Sequence, residues 1–478
     1  MVAECPPRAT IANESPSATI SCNPCEVIAP GEVGTVGSLS MAFSANDPVA
    51  NIRPVYEGAI ALDGSITWSL RTTAAALVGL TTPVRIAPHG STNSILQYDE
   101  DDPDAHLAMF GYDSSTFYIQ LENTWDFNSD PSREEFDLHS SGLSIVSWGD
   151  SNLGQLIRVS TDYGRTWSPA TVVDGLYTKL HALSPGIEYE WFGATLSDKF
   201  SVQVDEDTGT FYLLMPYALD SDTFDNVWGL WKSSTGAGWT LVNEWGESTY
   251  PFKYSGASLA VSNGYIYVGF AGLADGNVHV MHSSNGGVTW QESVVSDPES
   301  TSVYSIALAA HDGIAILYWA LNFKDLLKVY RTVDGGANWT VSLRLDYGDN
   351  EDLYPFYPNV RASGDLFLVT LCNVSYPTPA HGAEVNVWTA NGVAHDMTGA
   401  DQAFLCFWLS LDAGATWDLR VSPLAKRDLL GTPLYWQQSL DASAIAGQVV
   451  TSVSLCPPEG TIVTDSPYAT IQCEECVQ

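Results

Sequence analysis

The chain has 478 residues, of which 45% are hydrophobic and only 16% charged, with 16 Trp, 22 Tyr and 39 Gly; 19 Lys+Arg against 56 Asp+Glu give a formal net charge of −37. Such a chain can bury a large core and has the composition of a globular protein, not of a disordered one. It repels nucleic acid and anionic membrane, which attract clustered cations, and it has no apolar run of the ~20 residues a membrane helix needs.

No nucleic-acid partner and no membrane insertion are therefore expected. The first residues, Met1-Val2-Ala3-Glu4-Cys5-Pro6-Pro7, lack the basic and apolar regions of a signal peptide. Synthesis in a cytosol is the expectation. The sequons at Asn13, Asn338 and Asn373 then read as chance occurrences.

Residues 1–30 form a first module. Two short apolar-alternating runs flank a turn at Asn13-Glu14-Ser15-Pro16, which predicts a β-hairpin. Folding about that turn would set Cys5 opposite Cys22 and leave Cys25 as a third cysteine.

Residues 31–450 carry a repeated eight-residue pattern, S/T-x-D/N-x-G-x-T/N-W. Its best copies run Ser160-Thr-Asp162-Tyr-Gly164-Arg-Thr166-Trp167, Ser283-Ser-Asn285-Gly-Gly287-Val-Thr289-Trp290, Thr332-Val-Asp334-Gly-Gly336-Ala-Asn338-Trp339 and Ser410-Leu-Asp412-Ala-Gly414-Ala-Thr416-Trp417. Weaker copies hold Asp63 with Trp68, and Ser234 with Gly236 and Trp239. A period-2 run precedes each, as in Leu156-Ile-Arg-Val-Ser160, and reads as a strand with one buried face. The Asp or Asn can accept turn N–H groups, the Gly can take a positive φ, and the Trp can fold back as an apolar plug. Each box is thus a lock on a hairpin.

The pattern resembles the Asp box, or BNR repeat, of sialidases and related proteins. The resemblance implies an all-β propeller with the boxes on the blade periphery, so that Asp63, Trp68, Asp162, Trp167, Asn285, Trp290, Asp334, Trp339, Asp412 and Trp417 are structural. At ~40–50 residues per blade, the box spacing predicts a six-bladed β-propeller, with seven blades as the alternative. The widest interval, Asp63 to Asp162, has room for a blade without a box near residues 113–118.

Residues 451–478 repeat the first module. Segments 5–25 and 456–476 align without gaps and share three Cys, Pro-Pro, Thr-Ile, Ser-Pro and Ala-Thr-Ile. A second hairpin would set Cys456 opposite Cys473 and leave Cys476 over. Disulfides among Cys5, Cys22, Cys25, Cys456, Cys473 and Cys476 are the first expectation. A structural zinc on Cys22, Cys25, Cys473 and Cys476 is the alternative, and no other cofactor is implied. Cys372 and Cys406 lie in apolar runs and read as buried thiols.

The sialidase resemblance implies an arginine clamp, a Tyr–Glu pair and an acid. The nearest matches are Arg85, Glu188 with Tyr189, Glu351 and Arg361, with acids in 99–104, and none has the family spacing. The acidic run at 98–104 also matches no calcium-loop spacing, and His89, His106 and His139 follow no metal spacing. Long insertions at 98–104, 183–192 and 346–357 are where function is expected. These features point away from catalysis, with a glycoside hydrolase or a carbohydrate-binding propeller as alternatives. The expected role is a structural or adhesion protein: a virion (phage) decoration, collar or tail-fibre component. Its terminal Cys modules would bind other copies or other virion proteins, and its exposed aromatics cell-surface carbohydrate. Its expected location is the virion or the extracellular space after synthesis in a cytosol.

Overall fold

The computed structural model describes residues 9–12, 18–20, 35–45, 52–75, 85–87, 93–97, 108–113, 116–121, 135–138, 142–150, 154–162, 166–172, 201–205, 207–218, 226–246, 252–272, 275–300, 303, 305–321, 326–346, 359–370, 374–375, 387–390, 393–396, 406–421, 434–442 and 470–473. The chain divides into two units: Met1–Gly34 with Ile445–Gln478, and Thr35–Ala444.

In the larger unit the described residues form seven antiparallel sheets with a four-stranded core. Sheet 1 runs Leu434–Ala442, Thr35–Ala45, Ile52–Ala61, Ile66–Ala75. Sheet 2 runs Arg85–Ala87, Asn93–Gln97, Ala108–Asp113, Thr116–Leu121, and sheet 3 Glu135–Leu138, Ser144–Asp150, Gly154–Ser160, Thr171–Val172. Sheet 4 is Ser201–Asp205, Thr210–Ala218, Asn226–Ser233, Thr240–Gly246, and sheet 5 Phe252–Ser262, Tyr265–Gly272, Val278–Ser283, Gln291–Val295. Sheet 6 is Ser305–His311, Ile314–Ala320, Leu326–Thr332, Thr340–Asp346, and sheet 7 Asn359–Ser363, Leu366–Thr370, Cys406–Ser410, Asp418–Val421. The first strands of successive sheets touch in a closed cycle from sheet 1 round to sheet 7 and back. This is the arrangement of a β-propeller. The sheets number one more than the six expected from the boxes. The additional one, sheet 2, fills the widest interval, and its outer hairpin turns between Asp113 and Thr116 without a box.

The strands form because both of their faces are covered. In Ile314–Ala320, Ala315, Leu317 and Trp319 pack toward sheet 5, while Ile316, Tyr318 and Ala320 pack toward sheet 7. A strand alternates faces at every residue, so burial on both sides yields a continuous apolar run. Apolar clusters of this kind fill the spaces between sheets 3 and 4, 4 and 5, 5 and 6, 6 and 7, and 7 and 1. The box tryptophan of the later sheet joins each cluster: Trp239, Trp290, Trp339, Trp417 and Trp68. Trp290 meets Trp245 edge-on, with ring centroids 5.0 Å apart.

Every box is the hairpin between the third and fourth strands of its sheet. Asp412 Oδ1 accepts from Thr416 N at 2.8 Å and from Ser410 Oγ at 2.8 Å, and its Oδ2 accepts from Thr416 Oγ1 at 2.7 Å. Asp162 repeats this set. Asp334 accepts instead from Asn338 N and Nδ2, at 2.9 and 2.7 Å. Asn285 reverses one bond: its Nδ2 donates to Thr289 Oγ1 at 2.8 Å. The box also docks on the first hairpin of its own sheet, where Gly286, Gly335 and Ala413 donate N–H to Gly264, Gly313 and Asp365.

Beyond locking a hairpin, the boxes join sheets. A side chain of the preceding sheet donates to a box carbonyl at five joints. These are Thr171 to Gly236 at 3.1 Å, Lys232 to Gly286 at 2.9 Å, Ser293 to Gly336 at 2.7 Å, Arg331 to Ala413 at 2.6 Å and Arg420 to Gly64 at 2.7 Å. The last spans sheets 7 and 1. Gly336 has φ +104°, and a Cβ there would lie 2.6 Å from the His282 ring of sheet 5. The first strands are also tied. Asn263 N and Gly264 N donate to the buried Asp205 carboxylate of sheet 4 at 3.0 and 2.8 Å, and Asp312 N donates to Ser262 Oγ at 3.0 Å.

In the smaller unit, Ala9–Ala12 lies between Ala18–Ile20 and Thr470–Cys473, antiparallel to both. The hairpin register pairs Ala9 with Ile20, Thr10 with Thr19 and Ile11 with Ala18. This corrects the expected register. Setting Cys5 opposite Cys22 would put Ile11 opposite Pro16, which has no N–H to give a ladder. Cys473 stands opposite Ala9. Cys5, Cys22, Cys25, Cys372, Cys456 and Cys476 lie outside the described residues.

Replacing Gly336 by Ala should destabilise the protein by about 1–3 kcal/mol, from the positive φ and the His282 contact together, as measured by denaturant unfolding. Asp334 should act as an acid-sensitive lock. Hydrogen bonds from the Asn338 side chain and backbone lower its carboxyl from 3.8 to about 2. Its contribution is complete above the unfolded value and lost as pH falls through the folded one. Asp334→Asn alone should cost about 1 kcal/mol, because neutral hydrogen bonds replace charge-assisted ones and Asn338 must turn its amide to pair. Adding Asn338→Thr should restore the loss by recreating the Asn285–Thr289 pair, and should flatten the stability profile between pH 4 and 2.

Candidate functional site

Antiparallel strands send successive connections to alternate ends of a sheet. The boxes and the short first hairpins therefore share one end, and the longer connections the other. Segment 98–107 joins Gln97 to Ala108, 173–200 joins Val172 to Ser201, and 347–358 joins Asp346 to Asn359. All three segments thus start and finish at strand ends away from the boxes. Glu188, Tyr189, Glu351 and the acids of 99–104 lie outside the described residues, as do His89, His106 and His139.

Arg85 opens the first strand of sheet 2, with Leu96 as its pairing partner. Arg361 sits mid-way along the first strand of sheet 7, and its Nη1 donates to the neighbouring Val360 carbonyl at 3.1 Å. Both arginines are therefore on inner strands, with sheet 1 between theirs. Among the described residues no group of three His, Cys, Asp or Glu side chains could hold a metal. The box residues stand at the opposite end from the insertions.

Two polar clusters at the insertion end escaped sequence reasoning. In the first, Lys328 Nζ donates to Asp297 Oδ2 at 2.6 Å and to Glu299 Oε2 at 2.5 Å. Lys328 and Asp297 are buried, with 7% and 2% of their side chains exposed. Tyr330 donates its hydroxyl to Asp297 as well, and Arg344 Nη1 donates to Glu299 at 2.6 Å. Lys328 and Tyr330 share one face of a strand of sheet 6, and Arg344 is the cross-strand partner of Lys328. Burial alone would raise the Asp297 carboxyl, yet the bonds from Lys328 and Tyr330 hold it below its usual value. Those from Lys328 and Arg344 do the same for Glu299. Burial, then Asp297, pushes the Tyr330 hydroxyl well above the ordinary phenol value. A phenol held protonated and a lysine clamped by two carboxylates are poor nucleophiles. The cluster instead fastens residues 296–300, the connection from sheet 5 to sheet 6. Ser300 bonds Asp297 O through its N–H and Gly276 O through its hydroxyl.

In the second cluster, His279 bridges Glu292 through Nδ1 at 2.7 Å and Asp275 through Nε2 at 3.0 Å. Asp275 also accepts from the backbone and side chain of Asn277. Burial would raise its carboxyl, but these bonds and His279 keep it low. The only signals in the sequence were the period-2 spacings Asp297-x-Glu299 and Lys328-x-Tyr330. Nothing there links residues from different sheets.

No family model matches the chain, and no curated protein matches it. Several solved structures are similar to it in part. A sialidase from Trypanosoma rangeli is 13% identical, with 64% of this chain and 54% of that one covered and a TM-score of 0.37. This chain thus spans about half the length of that sialidase. The six-bladed propeller lectin of Aleuria aurantia is 13% identical over 82% of this chain and 98% of that one, with a TM-score of 0.32. A putative 6-phosphogluconolactonase from Bacteroides uniformis is 10% identical over 80% and 100%, at 0.39. At such scores the architecture rests on this chain's own sheets.

Replacing Lys328 by Met should leave Asp297 buried without its counter-ion and cost roughly 3–5 kcal/mol. Denaturant unfolding at pH 7 measures this directly. The loss should shrink on acidification, as the orphaned carboxyl takes up a proton.

Proposed function

We propose that this protein is a non-catalytic, seven-bladed propeller of the Asp-box type whose two ends link it to other copies of itself or to other proteins of a virion. Seven four-stranded sheets with first strands in a closed cycle support the blade number. One observation carries the linking role: strands from both ends of the chain meet in a single three-stranded sheet. The first and last strands of the larger unit are also paired neighbours. Gly37 pairs with Ala442, and Thr35 with Ala61 beside the first box. The scarcity of cations argues against an anionic ligand.

A second reading, a carbohydrate-binding propeller or glycoside hydrolase, draws on the placement of Arg85 and Arg361 on inner strands. Two assays separate the readings. Purified full-length protein should give multimers in light scattering and, after air oxidation, multimers on non-reducing gels, with no turnover of a panel of fluorogenic glycosides. Turnover that disappears in Arg85→Ala, Glu188→Gln or Glu351→Gln would replace the first reading by the second. Monomers in every redox condition would remove the linking role.

A further inference from the structure

We propose that copies of this chain join by strand exchange, with Thr470–Cys473 of one copy taking the place beside Ala9–Ala12 of the next that the neighbour's own Thr470–Cys473 fills within a single chain. This rests on the reading that the chain ends link copies, and it assigns the joint itself to backbone pairing, which disulfides between copies would then lock. Ala9–Ala12 carries a strand on each edge, and both come from the same part of the terminal repeat. The Ala18–Ile20 strand is bound to it by a short turn. The Thr470–Cys473 strand arrives from the far end of the sequence, pairing Cys473 with Ala9, Gln472 with Thr10, Ile471 with Ile11 and Thr470 with Ala12.

An edge filled by backbone hydrogen bonds does not distinguish a strand of its own chain from the identical strand of a neighbour. Exchange of that kind recreates every contact at little cost, provided the connecting segment is long enough. Here residues 443–469 separate the last propeller strand from Thr470; fully extended, such a segment reaches on the order of 90 Å. The second module supplies the means to continue. Gly460-Thr461-Ile462-Val463 repeats the Thr-Ile core of Ala9-Thr10-Ile11-Ala12. Each copy therefore brings two sequences that accept a strand and two that donate one, and exchange can propagate from copy to copy.

The pairing of Ala9 with Cys473 provides the test. In the full chain, Ala9→Cys is introduced while Cys5, Cys22, Cys25, Cys372, Cys406, Cys456 and Cys476 become Ser. The protein is then oxidised at rising concentration and run without reductant. Exchange predicts a ladder of dimers and larger species that grows with concentration and disappears when Ile471→Pro is added. Crosslinking confined to the monomer, or none at all, overturns it. Should that variant fail to fold, wild-type chains carrying two different tags are co-expressed and captured through one tag in reductant. The second tag must then be retained, and its loss overturns the proposal. Wild-type multimers combined with a purely intrachain crosslink would sink strand exchange alone, whereas wild-type monomers throughout would sink the linking role.

Discussion

The structure depends on one recurring contact: a donor side chain of one sheet reaching a carbonyl in the box of the next. A box turn exposes carbonyls that no strand partner can use, and a buried carbonyl without a donor is costly. Placing that turn over the outer strands of the preceding sheet satisfies the carbonyl and seats the box tryptophan in the apolar layer between sheets. The same small hairpin therefore closes its own sheet and holds the neighbouring one. Gly336 shows how tight the fit is, since the His282 ring occupies the space a side chain would need.

This arrangement helps explain the charge distribution. With 19 Lys+Arg in the whole chain, Lys232, Arg331 and Arg420 serve joints between sheets, and Lys328 and Arg344 fasten the connection between sheets 5 and 6. Cations committed in this way cannot also form a clamp for an anionic ligand. The surplus acids are left to define the surface field and make surface electrostatics sensitive to salt.

The box spacing made the all-β architecture legible, because the hairpin chemistry is local: an acceptor, a positive-φ glycine and an aromatic within eight residues. Sheet 2 was legible only as a gap, since the turn between Asp113 and Thr116 needs no such device. The joints were not legible. Their donors are Thr, Lys, Ser and Arg at differing positions, and the constant partner is a backbone carbonyl, which side-chain identity does not record. The Lys328 cluster escaped for a related reason, as Asp297 and Lys328 come together only when two sheets stack. The terminal repeat was plain in the sequence, while its register was not, because short alternating runs pair equally well two residues apart.

The pairing of Leu434–Ala442 with Thr35–Ala45 also has a consequence in time. Sheet 1 takes its innermost strand from Leu434–Ala442, so during synthesis it stays incomplete until about 400 residues after Thr35 have emerged. Sheets 2 to 7 can form in order as they leave the ribosome, each with the previous one as a template. The ring can then close only in a last, long-range step, whose loop-closure entropy slows it. Until that step the strand Thr35–Ala45 offers an open edge, and the nascent chain is most vulnerable to mispairing with its neighbours.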